Sequence, residues 1–110
     1  MEKTSLTALA VRLMDAARDS SSGRSAQTVY GGRTRMLRQT VLALRAGESL
    51  AEHENPGEAT LHVLQGRVLL TTQDTSCEGA GGDLLVVPDS RHALTATEDA
   101  VVLLTVAGQT

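Results

Sequence analysis

Residues 47–66 read GESLAEHENPGEATLHVLQG. The stretch opens and closes on glycine, holds His53 and His62, and places Pro56 in the turn Asn55-Pro56-Gly57. Thr60 to Leu64 reads as a strand that stops at the Gln65-Gly66 turn. Residues 82–92, GDLLVVPDSRH, answer it later in the chain: a glycine, a strand, a proline turn and His92. A strand, a proline turn and a histidine, met twice, is a pattern that builds a site inside a small barrel.

Working outward, the chain continues as short strands near 49–54, 58–65, 67–72, 76–79, 84–88, 91–97 and 100–106. Their spacing of roughly eight to twelve residues is that of an all-β sandwich or barrel. Ahead of them, 26–30 reads as a short strand and 36–45 as a longer one. In the longer strand Leu37, Gln39, Val41 and Ala43 share one face, and Met36, Arg38, Thr40, Leu42 and Leu44 the other. Apolar residues occur on both faces, which suits a strand covered on both sides. Residues 5–18 read as an amphipathic helix. Leu6, Leu9, Ala10, Leu13, Met14 and Ala17 recur at three- and four-residue steps, Thr4 or Ser5 can cap the start, and Arg18 suits the end. That helix is expected to pack against the outside of the main fold. Residues 20–25, SSSGRS, are a connector.

The 110 residues are enough for one domain with a modest core. Leu, Val and Ala must supply that core, because the chain has no Phe or Trp and Tyr30 is its one aromatic residue. Flat aromatic ligands therefore lose their stacking partners. Tyr30 is expected to cap one end of the barrel. A net charge of −3 with the signs mixed argues against nucleic acid or an anionic membrane as partner. The lone Cys77 rules out an intramolecular disulfide framework, fits a reducing compartment, and reads as a small buried or half-buried side chain. Arg12 and Asp15 interrupt any N-terminal apolar run, and no stretch is long enough to span a bilayer. The expected location is cytoplasmic.

These residues resemble the cupin family, small double-stranded β-helix (jelly-roll) proteins. The family's first motif runs glycine, five residues, His-x-His, three or four residues, Glu, six residues, glycine. Here Gly47 is followed by five residues and His53. Asn55 stands at the second histidine position, and Gly66 closes the motif after HVLQ. Six residues ahead of that glycine, Ala59 holds the glutamate position, with Glu58 one place early. The second motif is matched by Gly82, Pro88 and His92, with a shortened turn. The likeness covers about residues 35–106 and is specific for fold. The chain is also similar to a smaller group of short cupins with an N-terminal helix and a His-x-Asn-Pro-Gly-Glu-Ala run.

The resemblance implies an all-β jelly-roll barrel with one N-terminal α-helix: helix and connector over 1–24, barrel over 25–110. It also implies a homodimer, and a metal position in the barrel for the last histidine and the first-motif ligands. Imidazole and carboxylate suit a divalent transition metal such as Zn, Ni, Fe or Mn. The candidate metal ligands are His53, His92, Glu58 and His62. Strand parity decides the last two. The family register turns Ala59, Leu61 and Val63 inward and Glu58, Thr60 and His62 away. A one-residue bulge after the Pro56-Gly57 turn reverses this and assembles all four. The family register is the expected one, since bulges are a minority event.

Asn55, Arg38 and Gln39 are candidate ligand-binding residues. Either Arg38 or Gln39 must point inward, and an inward arginine needs a carboxylate or an anionic ligand. Arginine's usual exposure favours Arg38 on the outer surface. Two functions follow. One is a cupin that binds a small molecule, with a weakly held metal at most. The other is a metal-dependent enzyme of dioxygenase, isomerase or lyase type acting on a small non-aromatic substrate.

Overall fold

The structure is a computed structural model that describes residues 1–53 and 57–108, with the backbone alone at 51–53. Among the described residues one helix, α1 (Leu6–Asp19), precedes nine strands. They are β1 (Arg24–Tyr30), β2 (Leu37–Leu44), β3 (Ser49–His53), β4 (Glu58–Gln65), β5 (Arg67–Thr71), β6 (Ser76–Ala80), β7 (Leu84–Val86), β8 (His92–Ala96) and β9 (Ala100–Ala107). A five-stranded sheet has the order β1-β2-β9-β4-β7, and a four-stranded sheet the order β3-β8-β5-β6. Every paired neighbour is antiparallel. Apart from the β1–β2 and β5–β6 pairs, consecutive strands alternate between two facing sheets, which is the jelly-roll arrangement.

The alternation within β2 and β9 builds two separate cores. Leu42 pairs with Val102 and Leu44 with Ala100, and these face the opposite sheet. Val63 of β4 and Val68 of β5, from opposite sheets, meet them there. Val41 pairs with Leu103 and Ala43 with Val101, and these face outward, under α1. The helix buries Leu9, Ala10, Leu13, Met14 and Ala17 on that face. Burying each of its larger apolar side chains contributes on the order of 1.5–3 kcal/mol. The Ser5 hydroxyl caps the helix by accepting the Ala8 N–H at 3.2 Å. The Ser25 hydroxyl donates to the Leu13 carbonyl at 2.6 Å and ties α1 to β1. Cover for the second apolar face of the sheet thus comes from the chain's own helix.

At Gly66 the chain turns from β4 into β5 with a φ of +81°, and a Cβ there would run into the Asp99 carbonyl oxygen. Only glycine fits both conditions. Two expectations are corrected. Tyr30 does not cap the barrel: it ends edge strand β1 about half exposed, with the Arg35 guanidinium 5.8 Å from its ring centroid. Cys77 is exposed rather than buried, because β6 is the edge of the smaller sheet.

Candidate functional site

Between the sheets lies a cavity of about 120 Å³. Among the described residues, eight apolar side chains line it: Leu42, Leu50, Leu61, Leu70, Val87, Leu94, Leu104 and Val106. Two polar ones join them, Arg38 and His92. The polar pair arises from parity. In the ladders Arg38 of β2 lies opposite Val106 of β9, and Val106 lies opposite Ala59 of β4. These three positions share the inward face, since directly paired residues project on the same side. Arg38 sits near the start of β2, so its side chain reaches the cavity from an exposed position at the barrel mouth. This overturns the expectation of an outward Arg38.

Gln39, one residue on, takes the outer face. Its Nε2 donates to the Thr105 hydroxyl at 3.2 Å, so it is no ligand-binding residue of the cavity.

His92 opens β8 and is 4 % exposed. Its Nδ1 lies 3.0 Å from the Ser90 carbonyl oxygen. A carbonyl can only accept, so Nδ1 carries a proton and donates this bond. The β3–β8 ladder shifts register between Leu50 and His53, and sets the backbone of His53 opposite that of His92. The His53 side chain and the whole of Asn55 lie outside the described residues.

Glu58 and His62 fall away from this site. Ala59, Leu61 and Val63 are buried, and Leu61 lines the cavity, so β4 holds the family register. Glu58 is exposed at the strand's start. His62 is half-buried on the outer face, paired across the sheet with Leu84 and Leu103. The four-ligand arrangement that a bulge would have built does not form, and as ligands of the cavity these two residues are corrected. The described residues do not fit a transition-metal centre. One imidazole is the single ligand type they bring to the cavity, and a guanidinium cannot ligate and opposes a second cation. Among the described residues no group of three His, Cys, Asp or Glu side chains is placed to hold a metal.

Sequence reasoning read the leucines of this lining as core. The signal that separates them was in the chain: an arginine in phase with Leu42 on a strand whose other face carries Val41 and Ala43.

No family model and no curated protein matches the chain. Solved structures do. A conserved Streptococcus pyogenes protein of unknown function is 27 % identical, with a TM-score of 0.73 over 83 % of this chain and 79 % of that one. An RmlC-like cupin protein from Desulfovibrio desulfuricans is 24 % identical, with a TM-score of 0.74 over 97 % of each chain. A cupin 2 conserved barrel domain protein from Salinispora arenicola is 19 % identical, with a TM-score of 0.70 over 98 % of this chain and 89 % of that one.

Proposed function

We propose that this chain, a small cupin of RmlC-like jelly-roll fold, is a binding module that holds a compact non-aromatic molecule in its barrel. The observation that supports this reading is the cavity wall: among the described residues, eight leucines and valines with a guanidinium and an imidazole. Drug-sized ligands occupy roughly 300–1,000 Å³, so a space of about 120 Å³ suits a molecule of only a few heavy atoms. Apolar walls contribute affinity, and the two polar groups orient the ligand. Such a module serves as a sensor or a store. No helix among the described residues is long and apolar enough to cross a membrane, and we assign the chain to the cytoplasm. We further assign it as a homodimer.

A second reading, a metal-dependent enzyme of dioxygenase, isomerase or lyase type, is favoured by one observation. The backbone of His53 lies opposite that of the buried His92. Metal content separates the two. Untagged protein purified without chelator is expected to carry substoichiometric transition metal. A full equivalent of Fe, Ni, Zn or Mn that disappears in both His53→Ala and His92→Ala overturns the binding-module reading.

A further inference from the structure

We infer that the molecule this cavity takes is a short aliphatic monocarboxylate, its carboxylate held by Arg38 at the mouth and its chain directed inward. The inference rests on the binding-module reading and names the ligand's chemistry.

Arg38 is an anomaly on its strand face. The residues in phase with it further along β2 are Thr40, Leu42 and Leu44, and its cross-strand partner is Val106. Three other arginines of the fold are paired with acids, while Arg12 and Arg24 donate to neutral oxygens of Gln27 and Ser49. Arg18 meets Asp99 at 3.0 Å, Arg45 meets Glu48 at 3.4 Å, and Arg67 meets both Glu78 and Glu98. Among the described residues no carboxylate pairs with Arg38. A permanent cation on the wall of a mostly apolar cavity lowers its energy most with an anion.

The planar guanidinium fork matches a carboxylate bidentately. One guanidinium balances one negative charge, which favours a monoanion over a phosphate dianion. The mouth position matters as well. Arg38 keeps part of its hydration there, so the ion pair avoids most of the desolvation cost of a fully buried one. Beyond the head group Leu42, Leu61, Leu104 and Val106 offer only methyl and methylene surface. No Phe, Tyr or Trp stands among the described lining residues, so a flat ring finds little to stack on. A linear or branched chain of a few carbons fits.

The test uses the full chain with its Leu and Val methyl groups labelled for NMR. Two probes of one shape are titrated, isovalerate and its neutral isostere isovaleramide, with inorganic phosphate as a third. Isovalerate is expected to shift the methyl resonances of Leu61, Leu104 and Val106 and to bind about tenfold tighter than the amide. Arg38→Gln is expected to abolish the preference for the acid, bringing its affinity to that of the amide. Arg38→Lys, which keeps the charge without the fork, is expected to retain part of it. Equal affinity for acid and amide, with both shifting the cavity methyls, overturns the carboxylate assignment and leaves the binding-module reading standing. Phosphate displacing isovalerate from Arg38 also overturns the assignment, in favour of a phosphoryl ligand. If neither organic probe moves a cavity methyl, both readings fall.

Discussion

Arg18, at the end of α1, donates from Nε to Oδ2 of Asp99 at 3.0 Å, across 81 residues of chain. The other carboxylate oxygen, Oδ1, accepts the Ala46 N–H at 2.8 Å. One side chain in the β8–β9 turn therefore joins the helix, the β2–β3 turn and the barrel. The Ala46 N–H first, and the Arg18 guanidinium second, hold the Asp99 carboxyl below its ordinary value of 3.8. The folded pKa is depressed, so the stabilisation is fully present above pH 3.8 and is lost as pH falls from there through the folded value. Asp99→Asn keeps an oxygen for Ala46 and removes the charge. The pair is about half exposed on the arginine side, so the expected cost at neutral pH is modest, about 0.5–1 kcal/mol. The difference from wild type should vanish in denaturation curves taken well below pH 3.8. A cost that persists at that acidity would trace the effect to packing instead of charge.

The cavity predicts a substitution whose sign runs against the usual rule. Adding a methylene to a packed core costs about 1–3 kcal/mol. Val68, fully buried and away from the cavity wall, should obey that when changed to Leu. Val106 lines the cavity, so Val106→Leu directs its extra carbon into open space. Burying that methylene is expected to contribute about 0.8 kcal/mol, raising Tm by roughly 3–6 °C for a domain of this size. The same change should weaken binding of any ligand that fills the barrel. Thermal melts of the two variants decide it: destabilisation of both would mean that the space beside Val106 is closed in solution.

The strand framework was legible because glycines, prolines and period-two alternation are backbone instructions. The turn at Gly66 takes a positive φ that glycine allows, and the β2 pattern separated its two faces correctly. Side-chain destinations were less legible. Burial of Cys77 and Tyr30 depended on which strands lie at sheet edges, and strand order is a long-range property that local pattern does not encode. The facing of Arg38 was decided by its phase with Leu42, a signal that arginine's usual exposure outweighed.

Parity along β4 yields a paired prediction. Leu61 and His62 are chain neighbours on opposite faces, one 4 % exposed on the cavity side and the other half-buried outside. Leu61→Ala should cost about 2–5 kcal/mol in chemical denaturation. His62→Ala should cost under about 1 kcal/mol and leave ligand or metal affinity unchanged, and Glu58→Gln should behave likewise. A bulged β4 would exchange the two results.

The most exposed large apolar side chains of the five-stranded sheet lie on β7. Its outward Leu84 and Val86 are 62 % and 77 % exposed, while Leu85 between them is buried. The outer face of β2 and β9 is covered by α1, but β7 lies at the far edge of the sheet order, next to β4 with His62 on the same side. A patch of this kind on a closed dimer is self-complementary about a two-fold axis, each copy's β7 meeting the other's. A stable contact of that type covers about 800 Å² on each partner, more than two side chains supply, so the flanking residues of β4 must join it. Light scattering on wild type should give twice the chain mass. Leu84→Lys combined with Val86→Lys should give a monomer, with the barrel's melting temperature nearly unchanged once protein concentration is matched. A wild-type monomer over the whole accessible concentration range, or a dimer that survives both lysines, would remove β7 as the contact.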